Sequence, residues 1–189
     1  MPDLARHEPG PCTWDDFVGL EDGDLRELID GELVEVEVPT RAHERMVFLL
    51  AHMLEEWAGP RDAGEALCSG YKLRISETLG VMPDVQFYRK GNVPRDQEQG
   101  LVRGHPDLVV EVCSPSSVRY DRVKKLGWYA SREVPEYWIV DPAARTLERL
   151  VLDKGRYAIA DALEGDDVLQ PPTFEGLEIH LARLWSVLG

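Results

Sequence analysis

The stretch LVVEVCSPS, residues 108–116, decides the fold of this chain. Its first six residues form an apolar run that only Glu111 interrupts, which is typical of a strand buried on both faces of a sheet. Ser114-Pro115-Ser116 ends the strand, and a helix from about Arg119 to Arg132 is predicted to follow. An ionised carboxylate in a buried strand costs free energy unless a partner or a cation compensates it. The sequence therefore predicts a compensating group beside Glu111.

Upstream of this strand, the pattern indicates a hairpin strand and a long helix. Residues 28–38 alternate apolar and polar side chains around a turn at Asp30-Gly31, which is the period of a half-exposed strand. A helix is predicted to begin after Pro39-Thr40 and to end at Gly59-Pro60. Its apolar stripe consists of Met46, Val47, Leu50, Met53, Leu54 and Trp57.

Further strands on both sides of residues 108–113 indicate a mixed central sheet. Residues 66–75 and 83–89 have the pattern of two strands separated by a SETLG turn. Residues 136–140 and 147–152, joined by a turn at Asp141, have the pattern of a C-terminal hairpin. This order of elements predicts an α/β domain with a mixed sheet flanked by helices.

Length and composition favour one domain, expected over residues 1–189 with its core at about 25–152. A chain of 189 residues with 43% hydrophobic content can bury a substantial core. Its cysteines, Cys12, Cys68 and Cys113, are odd in number and form no CxxC pair, so neither disulfides nor a zinc site is expected. No segment approaches the ~20 apolar residues that span a bilayer. We therefore expect a cytoplasmic protein with no membrane partner.

The formal net charge of −14 argues against broad electrostatic binding to nucleic acid, because Lys and Arg contacts to phosphates supply most non-specific affinity. The charge is unevenly distributed, however. Residues 15–37 carry ten acids and a single base, whereas residues 71–125 carry ten bases and seven acids. Residues 119–132 alone hold five bases against Asp121. Any DNA-facing surface is expected in this base-rich part.

Three carboxylates lie where a metal site is conceivable: Asp84, Asp107 and Glu111. Asp107 and Glu111 share a strand face but are about 13 Å apart along it, at ~3.3 Å per residue. Since Mg²⁺ holds oxygen ligands at about 2.0–2.1 Å, these two cannot both chelate one ion. Asp84 is on another strand, and neighbouring strands are ~4.8 Å apart. Asp84 and Glu111 are therefore the feasible pair, although backbone amides or a lysine would also compensate Glu111.

Two groups of motifs, in this order along the chain, resemble a known family. The first group is ELIDGELV at 27–34, His43 early in a helix, and Pro83-Asp84-Val85. The second group is LVVEVCSPS at 108–116, Asp121, Lys125, Tyr129 and VPEYWIVDP at 134–142. Together they cover roughly residues 25–142 and resemble the putative restriction endonucleases, small bacterial proteins with the PD-(D/E)xK nuclease fold.

The resemblance implies a restriction-endonuclease-like PD-(D/E)xK core that hydrolyses DNA phosphodiester bonds. Asp84 and Glu111 would bind Mg²⁺ or Mn²⁺, and Lys125 would position or activate the attacking water. The residues that would support this site are Glu32, His43, Asp107 and Tyr129. Of these, Glu32 and His43 would orient a carboxylate or the water. The resemblance also implies a homodimer that cuts one strand of DNA at each site.

Cys113 is the point where the chain departs from the family pattern. It stands two residues after Glu111, on the same strand face, where PD-(D/E)xK proteins have a lysine. From the residues alone, a small apolar filler is its expected role. Either the lysine comes from elsewhere or the site is inactive. An inactive site would leave a module that binds nucleic acid or protein without cutting, and a third alternative is a hydrolase of small phosphoesters.

Three lysines are candidates for the missing group. Lys125 matches the family pattern and lies on the helix that follows the strand. On a helical wheel it points away from the predicted packing side, so spacing alone makes it a solvated side chain. That packing side consists of Val123, Leu126 and Ala130. Lys124 is the neighbouring alternative, and Lys72 on a preceding strand is a more remote one.

Overall fold

A computed structural model describes residues 10–188 apart from 22, 69, 95–99, 102 and 115–120. The start of the helix predicted at Arg119 therefore lies outside the described residues. The larger sheet consists of β3 (Gly64–Cys68), β6 (Val85–Arg89), β8 (Leu108–Val112), β9 (Glu136–Asp141), β10 (Thr146–Asp153) and β11 (Arg156–Glu164). Its spatial order is β11-β10-β9-β8-β6-β3. Because β8 is parallel to β9 while the other neighbours are antiparallel, the prediction of a mixed sheet is confirmed.

A smaller sheet contains the N-terminal hairpin. Its strands are β1 (Arg26–Ile29), β2 (Glu32–Glu35), β4 (Lys72–Ser76), β5 (Leu79–Val81) and β7 (Gly100–Leu101), in the order β2-β1-β5-β4-β7. Asp30 and Gly31 connect β1 to β2 with φ angles of 51° and 76°. Two successive positive φ values are typical of a type I′ turn, which matches the twist of hairpin strands. A short pair, β12 (Val168–Leu169) with β13 (Ile179–His180), lies near the C-terminus.

Within the described residues, four α-helices pack around these sheets. They are α1 (Trp14–Val18), α2 (Arg41–Ala58), α3 (Leu126–Ser131) and α4 (Leu181–Trp185), with a 3₁₀ turn at Gly59–Arg61 and a π-helical turn at Asp121–Lys125. The Thr40 side chain caps α2 by accepting a hydrogen bond from the His43 amide, as its position before the helix predicts. None of the described helices is long and apolar enough to span a membrane.

The central strand β8 is buried on both faces, as the sequence predicts. Its even-numbered residues pack with α2 on one face, in a core that also contains Trp138. Val109 and Cys113 pack with Tyr129 of α3 on the other face. Cys113 is 5% exposed, which confirms its expected role as an apolar filler.

The strand predicted over residues 66–75 is wrong. The chain there forms two strands, β3 and β4, which belong to different sheets. Gly70 lies between them with a φ of 106°, a backbone conformation that residues with a Cβ atom rarely adopt. Strand-forming residues on both sides conceal this break, so periodicity alone joins the two strands.

Candidate active site

The candidate site lies at the carboxyl end of β8. Strands β6 and β8 are antiparallel neighbours with Val85 opposite Val110, so the next pair along is Asp84 and Glu111. The carboxylate of Asp84 is joined to β8 directly, because its Oδ2 accepts a hydrogen bond of 2.8 Å from the Val112 amide. The structure therefore places Asp84 immediately before β6, the strand neighbouring that of Glu111, which is the arrangement expected from strand spacing.

Glu111 is held by two side chains from the α3 side of the sheet. Lys125 Nζ is 2.9 Å from Glu111 Oε2, and the Tyr129 hydroxyl donates to Oε1. All three residues are buried, with Glu111 only 3% exposed. Burial and the charge of Glu111 raise the pKa of Tyr129 well above its ordinary value, so the phenol stays neutral and acts as a donor. The compensation that the sequence required for Glu111 is thus an ion pair and a hydrogen bond.

The packing side predicted for the helix at 119–132 is correct for Leu126, which packs against the core, but wrong for Val123. Val123 is 62% exposed, whereas Lys125 and Tyr129 point inward, one helical turn apart. An unpaired carboxylate inside the protein costs more free energy than an exposed valine, so the polar residues take the buried side. Lys124 is exposed. Lys72 donates a hydrogen bond of 2.8 Å to the Phe17 carbonyl and thereby holds α1.

His43 supports Asp84 from the α2 side of the sheet. Its Nε2 lies 3.2 Å from Asp84 Oδ2, and both side chains are about 15% exposed. Burial alone would lower the pKa of His43, but the hydrogen bond and charge of Asp84, together with the charge of Glu44, outweigh it and raise this pKa. The carboxyl end of β8 is therefore reached by supporting side chains from both faces of the sheet.

In metal-free protein, we expect His43 to titrate above its ordinary pKa of about 6.5, and Asp84→Asn to lower that pKa. Because the folded-state pKa is raised, the pair stabilises the fold fully below the unfolded-state pKa, and this contribution is lost as pH rises through the folded-state pKa. NMR titration of the imidazole protons with a chelator present measures the shift, and His43→Gln assigns the resonance. An unchanged pKa in Asp84→Asn would contradict the pairing.

One of the predicted supporting residues, Asp107, lies elsewhere in the structure. Asp107 precedes β8 at the end opposite to Glu111, and its Oδ2 accepts from the Arg89 amide at 2.8 Å and from Asn92 Nδ2 at 3.0 Å. These contacts close the turn that follows β6. Glu32 is exposed at the start of β2. The structure therefore brings His43 and Tyr129 to the carboxylate pair, but gives Asp107 a role in the β6–β8 connection.

Glu27 is a buried carboxylate whose role the sequence does not reveal. It is 5% exposed on β1, and its Oε1 accepts a hydrogen bond of 2.8 Å from the Met82 amide, two residues before Asp84. Its charge also contributes to raising the pKa of Tyr129, after burial and the charge of Glu111. Within the acidic stretch 15–37 only its place at the start of the ELIDGELV motif distinguishes it, and its burial depends on how β1 docks in the smaller sheet.

We expect Glu27→Ala to lower the free energy of unfolding by about 1–3 kcal/mol, because the Met82 amide loses its buried acceptor. Glu27→Gln keeps an acceptor oxygen and should cost clearly less. Urea denaturation followed by circular dichroism compares the two variants. Equal losses would show that the charge of Glu27, rather than its hydrogen bond, stabilises the turn before Asp84.

The carboxylates of Asp84 and Glu111 are the residues that would hold a divalent metal, and their chemistry fits Mg²⁺ or Mn²⁺. No three His, Cys, Asp or Glu side chains of the described residues cluster closely enough to form a metal cage. Mg²⁺ requires no such cage, since one or two carboxylates, water and substrate phosphates complete its octahedral shell. A carboxylate offers about four lone-pair sites, so the hydrogen bonds at each group leave sites for a cation.

The fold defines the class of protein. A mixed sheet flanked by helices, with two acids and a lysine near the end of one strand, is typical of a restriction-endonuclease-like core. A family model, Uma2, described as putative restriction endonuclease, matches residues 14–182. The chain belongs to this family, which the sequence motifs predicted.

A solved structure and a curated relative resemble the chain. The crystal structure of a putative nuclease of the DUF820 family from Anabaena variabilis has a TM-score of 0.78 and 19% sequence identity, and the match covers 95% of this chain and 100% of that one. This likeness confirms the predicted α/β fold. The uncharacterised protein sll1609 of Synechocystis sp. is 31% identical over 119 residues, 61% of this chain. The matched part spans 65% of that relative.

Proposed function

We propose that this protein is a metal-dependent endonuclease that hydrolyses DNA phosphodiester bonds, with Asp84, Glu111 and Lys125 as its catalytic residues. One observation supports this most strongly: a buried lysine ammonium lies 2.9 Å from the second acid, although Cys113 stands at the usual lysine position. In this proposal, the helix after β8 supplies the group that the strand lacks. Membership in a family of putative restriction endonucleases supports the same reaction class.

In this proposal, Lys125 stabilises the charge that develops on the scissile phosphate and positions the attacking water, because its ammonium is fixed beside Glu111. Tyr129 fixes the Glu111 carboxylate by donating to its Oε1, while Lys125 Nζ lies 2.9 Å from its Oε2. His43 and the Val112 amide fix the Asp84 carboxylate through hydrogen bonds to its Oδ2. When bound, Mg²⁺ or Mn²⁺ supplies Lewis acidity at the phosphate and lowers the pKa of water.

We also propose that the enzyme acts in the cytoplasm as a homodimer with one cut strand per site, and that its products carry 5′-phosphates. Sedimentation measured with and without a DNA duplex would distinguish a dimer from a monomer. End-labelling of the products before and after phosphatase treatment identifies the position of the phosphate. Labelling without phosphatase would contradict the proposed 5′-phosphate.

The function is tested by cleavage of supercoiled plasmid and of single-stranded DNA. We expect nicking with Mg²⁺ or Mn²⁺ and none with a chelator. A preparation of Glu111→Gln purified in parallel controls for contaminating nucleases, since equal activity in both samples would exclude this site. Hydrolysis of a small phosphodiester without any cleavage of DNA would replace the proposed substrate by a small molecule.

A further inference from the structure

The outward side of α2 carries a row of four residues that the proposed chemistry does not use. These residues, which we call the outer stripe, are Arg41, Arg45, Phe48 and His52. Their spacing of four, three and four residues places them on one face of the helix. Arg41 and Arg45 are exposed, and Phe48 is 54% exposed although it lies between the buried Val47 and Leu49.

The side chains of the outer stripe are ordered against one another. The Arg45 guanidinium lies over the Phe48 ring at 5.5 Å, and the His52 ring stacks on Phe48 with an interplanar angle of 11°. A guanidinium above an aromatic face is held in place while its N–H donors still point outward. The stripe therefore presents an oriented cation rather than a freely rotating one.

Arg41 and Arg45 have no carboxylate partner within the described part of the chain, although the protein has a net charge of −14. The glutamates of α2 contact other residues, among them His52 of the stripe itself. Glu55 accepts a hydrogen bond from the Ala66 amide, Glu56 contacts His52 and Arg183, and Glu44 lies 3.8 Å from His43. Arg41 and Arg45 therefore remain available for an anionic partner.

Three of the four described bases in the stretch at 119–132, where the sequence predicted a DNA-facing surface, contact partners within the protein. Lys125 pairs with Glu111, Arg122 pairs with Glu148, and Arg132 donates to the Gly104 carbonyl. These contacts reduce the positive charge that the stretch offers to DNA. The outer stripe is therefore the better candidate for phosphate contacts.

The position of the outer stripe relates it to the candidate site. Arg41 begins α2, two residues before His43, which contacts Asp84. At 1.5 Å per residue, Phe48 lies about 10 Å further along the helix. We propose that the outer stripe binds the DNA backbone beside the scissile phosphate, with Arg41 and Arg45 on phosphates and Phe48 supporting Arg45. This inference rests on the proposed function and names the surface that holds its substrate.

The test compares two double variants with the same change in charge. Arg41→Gln/Arg45→Gln removes the cations of the stripe. The control, Arg145→Gln/Arg156→Gln, removes two exposed arginines, one in the turn between β9 and β10 and one at the start of β11, that also have no carboxylate partner among the described residues. Fluorescence anisotropy with a labelled duplex in chelator measures affinity against salt concentration. Plasmid cleavage with Mg²⁺ measures kcat and KM.

For Arg41→Gln/Arg45→Gln we expect a loss of affinity of more than about tenfold and a salt slope smaller by about two, because each phosphate contact contributes about 0.9. KM should rise while kcat stays near that of the wild type. Phe48→Ala should weaken binding without changing the slope, since both cations remain. The control double variant should behave like the wild type in binding and in kinetics.

Three results would overturn the inference in distinguishable ways. Equal slopes and KM values in the two double variants, with a wild type that cleaves, would exclude the stripe and leave the nuclease intact. A wild type that neither binds nor cleaves DNA would exclude both proposals. Loss of self-association in Arg41→Gln/Arg45→Gln, with DNA binding equal to the control, would assign the stripe to an acidic surface of a second copy.

Discussion

Glu111→Gln is expected to reduce metal-dependent DNA cleavage by more than about a hundredfold, since loss of a residue that only orients a metal ligand already costs about 10–100-fold. The substitution keeps the shape of the side chain and an acceptor for Tyr129, but it removes the charge that would hold the cation. It also leaves the buried ammonium of Lys125 without its partner at 2.9 Å. Breaking such a pair from one side costs about 3–5 kcal/mol of stability, so the variant should also unfold more easily.

A second substitution separates catalysis from stability. Glu111→Gln/Lys125→Met removes both buried charges and should recover most of the lost free energy of unfolding, while cleavage stays absent. Glu148→Gln is the matched control, because it removes one carboxylate of an ion pair with Arg122 outside the site and should retain activity. Recovery of cleavage together with stability in the double variant would show that Glu111 has a structural role only.

Lys125→Met is expected to lower kcat by about a hundredfold to a thousandfold, the loss typical of removing one preorganised group that stabilises developing charge. Methionine preserves the apolar stem in its buried position, so the change is mainly the loss of the ammonium. Metal affinity should change far less than kcat, because the carboxylates remain. Initial rates at saturating DNA, together with calorimetric titration of Mg²⁺, measure both quantities.

Returning a lysine to the strand tests whether position or chemistry determines this role. Cys113 lies on the face of β8 that packs with Tyr129, two residues and about 6.6 Å along the strand from Glu111. We therefore expect Lys125→Met/Cys113→Lys to recover part of the lost activity, and Lys125→Met/Cys113→Ser to recover none. Full activity in Lys125→Met alone would remove the lysine from the mechanism.

The sequence by itself determined the strand that carries Glu111 and the order of elements around it. A continuous apolar run is buried on both faces wherever it lies in a sheet, and the spacing of strands decides which carboxylates can meet. The pairing of Asp84 with Glu111 follows from these two regularities. The long helix that presents His43 follows instead from the spacing of its apolar stripe. The family motifs then identify the class of fold, because they recur in order along most of the chain.

Only the tertiary structure decided which side chains surround the acid pair. The helical periodicity of residues 119–132 predicts that Val123 is buried. Because Glu111 is buried, however, an ion pair with it lowers the free energy of the fold more than burial of a valine does. Lys125 and Tyr129 therefore point inward. The burial of Glu27 and the separation of β3 from β4 likewise depend on contacts between distant segments. Periodicity shows only which side of a segment is apolar on average. Whether a single charge can be buried depends on the partners that the fold places beside it, because they offset its desolvation cost.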